Sequence, residues 1–256
     1  ESSFLYLFLF GEKKMTPRQH LGAACLVMGG SWLSGWFIIT TNAFMQHPVG
    51  YVMRENGVIA LDSLATYLTN PWIIVQYAHT MTGSVVTASF VVASIGAFYT
   101  LLGKHKEHAR LFLRVGLTTG VIASIMMAAP TGDLQMRLVV EDQPASFAAM
   151  EGHFHTEDSA SLTLVGQPDM EKLQLDNPIS VPGALSFMTY KRWDAKVEGL
   201  TSFPRDRWPD NVPLLYYAYH VMVGLGTIFM GIMVISAALL RKERLFHTRA
   251  KPVLWT

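Results

Sequence analysis

The sequence predicts an all-α, polytopic membrane helix bundle: four complete transmembrane helices, the end of a fifth, and one long outer loop. Three observations carry that prediction. Of 256 residues, 50% are hydrophobic and only 15% charged, against about 25% charged in an ordinary soluble domain. Four stretches, 19–42, 72–102, 111–130 and 213–240, reach the length that a bilayer requires of an apolar helix. Basic residues gather in alternate connections. This composition excludes a disordered chain, a nucleic-acid-binding tail and an ordinary soluble enzyme, and the formal net charge of +1 gives no sign of a nucleic-acid partner. The single cysteine, Cys25, excludes a disulfide framework or a Cys-based metal site within the chain.

The first ten residues turn apolar at once, with Phe4-Leu5-Tyr6-Leu7-Phe8-Leu9-Phe10. A signal peptide needs a basic region before such a run, and none is present. The segment therefore reads as the end of a helix, and the chain as an internal piece of a longer protein. The connections then set the orientation. Segment 11–18 holds Lys13, Lys14 and Arg18, and 103–110 holds Lys104, Lys106 and Arg110. The tail 241–256 holds Arg241, Lys242, Arg244, Arg249 and Lys251, whereas 43–71 has only Arg54. Cationic loops stay on the cytoplasmic side. That places these three basic segments inside a bacterial or archaeal plasma membrane, with 43–71 and 131–212 outside. The chain divides into transmembrane helices over 1–130, an outer loop over 131–212, and a helix with a cytoplasmic tail over 213–256.

The loop 131–212 differs in kind, with thirteen acids against seven bases. A structureless loop of this length is uncommon unless it is functional. Apolar runs such as Leu162-Thr163-Leu164-Val165 and Ile179-Ser180-Val181 interrupt it. Short helices and turns packed over the outer membrane face are expected.

Among nine histidines, His20, His47, His105, His108 and His247 read as solvated or headgroup-facing, and the pair His153 and His155 is not by itself a metal site. His79 stands apart. It lies seven residues into the outer end of helix 72–102, in an apolar setting, and ionisable groups inside membranes mark function by default. Gly83, one turn on, shares its face and leaves room for a flat cofactor against the backbone. A histidine bonded to a neighbouring helix is the plain alternative. On helix 213–240, Tyr219, His220 and Met222 lie at the same depth. Residues two apart point about 200° apart, so His220 and Met222 cannot both face one cofactor. Met222 has Gly226 one turn on and His220 has Gly224, so spacing does not choose between them. A haem iron held by His79 and either partner has both axial positions filled. It passes electrons rather than binding oxygen, and a His/Met pair raises its potential. Glu1 is a second anomaly, ten residues from the inner boundary and so about 15 Å deep. With Ser2, Ser34 and Asn42 it suggests a proton path, although Ser and Asn also join membrane helices.

Taken in order, Glu1-Ser2-Ser3-Phe4, Asn42-Ala43-Phe44-Met45-Gln46-His47-Pro48-Val49-Gly50, Gln76-Tyr77-Ala78-His79-Thr80, Gly132-Asp133, Ala149-Met150-Glu151 and Tyr219-His220-Val221-Met222-Val223-Gly224 form a pattern that resembles subunit I of cytochrome bd quinol oxidases. The resemblance runs over essentially the whole chain. It implies that His79 and Met222 are the axial ligands of a low-spin haem b, with Gly83 and Gly226 beside it. It also implies that 131–212 is the quinol-binding loop, of the short-loop branch, and that Glu151 acts in quinol oxidation. A carboxylate at the outer surface suits the protons that quinol must release. Glu1, Ser2 and Ser34 resemble members of a path supplying protons to the oxygen-reducing haem. The family further implies ubiquinol or menaquinol and oxygen as substrates, high-spin haems b and d (or b), a proton gradient as product, and a second membrane subunit. Two positions depart from the pattern: His220 stands where an arginine is common, and Ser146 where a lysine is common. The family's N-terminal histidine-bearing helices and its Gly-Arg-Gln-Pro-Trp region lie outside this sequence, so the oxygen-reducing haems are expected to be completed by parts beyond it. Two other functions fit the same residues: a membrane haem b electron carrier, and a non-haem proton-coupled transporter using His79 and Glu1.

Overall fold

A computed structural model of the chain describes residues 2–242, 245 and 251–254. Glu1, Arg244, His247 and Arg249 lie outside the described residues. Contacts divide the chain into two units, Glu1–Met81 and Thr82–Thr256.

The first unit begins with α1 (Ser2–Phe10) and α2 (Pro17–Gln46). Thr16 starts α2 with a capping box, exchanging hydrogen bonds with Gln19, and Pro17 follows at the first helical position, where its missing N–H has no role to lose. His20 ties the two helices: its Nε2 lies 2.7 Å from the Phe8 carbonyl and its ring stacks on Phe8. Strands β1 (Tyr51–Met53) and β2 (Ile59–Leu61) make a small antiparallel hairpin, and α3 (Leu64–Leu68) follows. Asn70 then launches α4 (Pro71–Leu102): its side chain accepts from the Trp72 N–H at 2.9 Å and donates to the His47 carbonyl at 2.7 Å. Farther along, Tyr77 donates to the Trp32 carbonyl at 2.8 Å and packs edge-on against Trp32 and Trp36.

In the second unit the rest of α4 packs on α5 (Lys106–Met126) through small residues. A Cβ at Gly116 would stand 2.6 Å from the Ala93 nitrogen, and one at Gly96 would stand 2.8 Å from the Leu113 nitrogen. In lipid, close backbone approach replaces hydrophobic collapse as the source of helix pairing. Past Met126 the helix does not stop at the expected boundary of 130. A π turn, Met127–Thr131, carries the chain into α6 (Gly132–Asp142). Pro130 within the turn has no N–H to give, which loosens the ladder, and the Thr131 hydroxyl donates to the Met126 carbonyl at 3.0 Å.

The outer segment continues with α7 (Pro144–Glu151), β3 (Glu157–Asp158), β4 (Leu162–Asp169), β5 (Gln174–Val181), α8 (Ala184–Tyr190) and β6 (Lys196–Val197). Two 3₁₀ turns lead to α9 (Val212–Arg241), and α10 (Lys251–Leu254) follows. The expectation of helices and turns alone needs correction here. The apolar runs around Leu162 and Ile179 pair as an antiparallel hairpin with two register shifts. At its turn, the Asp169 side chain accepts from the Glu171 and Lys172 N–H groups, each at 2.9 Å. Two small cores support this region, one around Ala148, Ala149, Phe154 and Leu200 and the other around Phe147, Ala160, Leu185 and Val197. Four helical stretches, Pro17–Gln46, Leu64–Leu102, Lys106–Asp142 and Val212–Arg241, are long and apolar enough to cross a membrane.

Candidate functional site

The most enclosed ionisable group among the described residues of the outer segment is Glu151, the last residue of α7 and only 4% exposed. The helix ends there because Gly152 takes a left-handed backbone, φ 63°. A side chain at Gly152 would meet the Tyr216 ring at 2.8 Å and Leu175 at 2.9 Å, so glycine is required twice over. The Tyr219 hydroxyl on α9 hydrogen-bonds the Glu151 carboxyl. The carboxyl's Oε2 meets no hydrogen-bond partner among the described residues, and neither does the buried Tyr216 hydroxyl. Burial pushes the Glu151 carboxyl up to about 7, and the Tyr219 bond opposes that rise. A carboxyl group poised near neutrality is partly ionised there, and its carboxylate form, with one bare oxygen, can accept a proton from a partner that reaches it.

Around it, Tyr216, Tyr219 and His220 rise along α9 at i, i+3 and i+4. The His220 ring stacks on Tyr216 with centroids 3.9 Å apart. Its Nδ1 stands 3.0 Å from the Tyr216 carbonyl and its Nε2 3.0 Å from the Thr163 carbonyl. Both ring nitrogens are thus turned to backbone oxygens, one of them on β4. Met222, two residues on, is 55% exposed. His153, beside the site, is buried; its Nε2 faces the Val197 carbonyl at 3.2 Å, and burial holds its imidazole below the usual histidine range.

The glycines singled out from the sequence behave as a cradle. A Cβ at Gly83 would lie 3.6 Å from the Met127 sulfur, and one at Gly226 would lie 3.9 Å from the Met127 methyl. The faces of α4 and α9 that carry them therefore meet the same side chain, at the start of the π turn. Gly224 has nothing within 4 Å. On its own helix His79 is half-buried on α4, and Met222 is exposed on α9; imidazole and thioether are both groups able to ligate haem iron.

The remaining expected residues are less gathered. Ser2 on α1 and Ser34 on α2 are both exposed, and no hydrogen bond joins them among the described residues. Asn42 donates to Gln76 at 3.2 Å, a link within the first unit. Asp133 of the Gly132-Asp133 pair takes Lys191 at 2.6 Å and Arg137 at 2.9 Å, fastening α6 to the end of α8. Sequence reasoning missed Tyr219 as the partner of Glu151. The signal was only its spacing from Met222, which placed it at the right depth.

Spanning helices with a segment over 131–212 that sets a buried carboxyl against one of them define the class, a polytopic helical membrane protein. The whole chain, residues 1–256, matches the family described as cytochrome bd terminal oxidase subunit I, and it belongs to that family. It is 28% identical over 262 residues to the cytochrome bd ubiquinol oxidase subunit 1 of Bacillus subtilis (strain 168), covering 97% of this chain and 55% of that one. It is 29% identical over 211 residues to the cytochrome bd-II ubiquinol oxidase subunit 1 of Escherichia coli (strain K12), covering 82% and 41%. The structure of the bd oxidase from Geobacillus thermodenitrificans superposes with a TM-score of 0.82 at 29% identity, over 99% of this chain and 60% of that one. The chain thus spans about half the length of the curated relatives it matches.

Proposed function

We propose that this chain is the quinol-oxidising part of the haem-bearing subunit of a bd-type terminal oxidase. The observation that carries this reading is Glu151: a buried carboxyl with one bare oxygen, hydrogen-bonded to the helix that also bears Met222. Membrane quinol, ubiquinol or menaquinol, binds against the outer segment 131–212. Glu151 accepts a proton from the quinol hydroxyl. Tyr219 holds the carboxyl in place and stabilises its ionised form through the hydrogen bond. Protons released on this face add to a transmembrane gradient.

His79 and Met222 would hold a low-spin haem b, with Gly83 and Gly226 on the same helices; bound there, the group would supply one-electron transfer. The arrangement favours Met222 over His220 as the second ligand, because both His220 nitrogens are turned to carbonyls. In the complete subunit high-spin haems, b and d or b alone, would supply the chemistry that turns oxygen into water, with Glu1, Ser2 and Ser34 on the side of proton supply. A second membrane subunit completes the oxidase in the plasma membrane, with 131–212 on the outer side.

The test is Glu151→Gln in the complete oxidase. Loss of a positioned base costs about 10²- to 10⁴-fold, so quinol oxidation is expected to fall at least 100-fold while the low-spin haem spectrum stays. Unchanged turnover would remove Glu151 from the reaction.

A further inference from the structure

At the end of the molecule marked by Lys106 and Arg241, a groove of about 710 Å³ runs between α5 and α9. Its rim is charged and its walls are apolar. Arg110 and Arg114, one turn apart on α5, line it together with Arg241 from the last turn of α9, and Glu107 is the one acid among the described residues of the lining. Deeper along the two helices Val121, Ile122 and Ala237 line it.

Arg114 is the telling residue. It sits eight positions into α5, about 12 Å along the axis from Lys106, in a stretch long and apolar enough to cross a membrane. Its side chain is exposed and takes part in no ion pair among the described residues. A guanidinium at that depth is expensive in hydrocarbon unless an anion meets it. Arg114 and Arg241 join Glu107 in the described lining, and guanidinium binds phosphate through paired hydrogen bonds. Val121 lies seven residues beyond Arg114, about 10 Å deeper. That is the direction an acyl chain takes below its headgroup. A free phosphate would use the rim and leave the apolar wall unused; a zwitterionic lipid would use the wall and bring a cation to a cationic rim.

We propose that the α5–α9 groove is a binding site for an anionic diacyl phospholipid, its phosphate held by Arg114, Arg110 and Arg241 and its chains laid along Val121, Ile122 and Ala237. The site stands at the opposite ends of α5 and α9 from the Glu151 region and is independent of the haem and quinol assignments.

The experiment uses the purified, delipidated complete oxidase in neutral detergent, titrated with phosphatidylglycerol, phosphatidylcholine or inorganic phosphate and read by native mass spectrometry and by thermal unfolding. Phosphatidylglycerol is expected to bind and raise the unfolding temperature, whereas phosphatidylcholine and phosphate do neither. Each surface cation contributes about 1 kcal/mol to an anionic lipid contact, or about fivefold. Arg114→Gln should weaken phosphatidylglycerol binding about fivefold, Arg114→Lys should keep most of it, and Arg54→Gln, in the opposite connection, should leave it unchanged. If Arg114→Gln fails to accumulate, Arg241→Gln and Val121→Trp take its place, the latter by filling the chain slot. Equal binding of phosphatidylcholine would overturn the proposal. So would competition by phosphate alone, which would make this a small-anion site, and so would undiminished binding in the variants. An absence of lipid binding in the native oxidase would mean that protein covers the groove.

Discussion

In the outer segment Phe147, Phe154, Leu185 and Leu200 lie inside, and Lys172, Lys196 and Arg205 lie outside. Along the spanning helices the arrangement is reversed. Ala93, Gly116, Gly120 and Ser124 are buried between helices, while Leu21, Ile38, Leu111 and Val221 face outward. The same residue types are sorted in opposite senses because the surroundings differ. Water expels apolar side chains. Hydrocarbon does not, so in the spans packing falls to small residues that let backbones approach. Glu151 sits where the two regimes meet, on an outer helix but against α9. There it escapes water without entering lipid, and its carboxyl rises to about 7.

Breaking the spanning half at its centre has the largest expected effect. His79→Ala should abolish the low-spin b-type absorption of the complete oxidase; a retained spectrum would dissociate His79 from the haem.

Next comes a test of the two burial rules. Leu200 is 1% exposed in the outer core, and Leu200→Ala should cost about 2–5 kcal/mol. Ile38 is 66% exposed on α2, and Ile38→Ala should cost well under about 1 kcal/mol in detergent, since no cavity opens. Denaturant unfolding of both variants measures the contrast, and equal losses would show that the spans are packed like a water-soluble core.

The smallest effect sharpens the boundary itself. The carboxylate of Glu151 is the form that accepts a proton, so quinol oxidation should rise with pH through about 7. Tyr219→Phe removes a bond that stabilises that form, so the rising limb should move to higher pH, with turnover at neutral pH down severalfold. Rates measured across pH 5–9 decide it, and a limb that stays in place would deny Tyr219 its positioning role. Stability carries the matching sign. A carboxyl raised above its ordinary value of 4.5 binds protons more tightly folded than unfolded, so its contribution is full below about 4.5, declines as pH rises toward 7 and is level above.

Chain order and local composition determined the spans, because twenty apolar residues in a row and the bias of Lys and Arg are properties of neighbouring residues. They also singled out His79 on α4 and Tyr219 to Met222 on α9 as candidates, and the resemblance to the family drew Glu151 from the loop. What they did not show depended on partners far away in sequence. The β4–β5 hairpin was illegible because a four-residue apolar run has no period that separates strand from helix. The contact of His220 with the carbonyl of Thr163, 57 residues away, was equally invisible. The pairing of Tyr219 with Glu151, and the meeting of Gly83 and Gly226 at Met127, required the outer segment to fold down on α9 and α4 to lie against α5. Burial and the hydrogen-bond partner, which set the Glu151 acidity, are properties of the space around a side chain, and only the tertiary structure assembles that space.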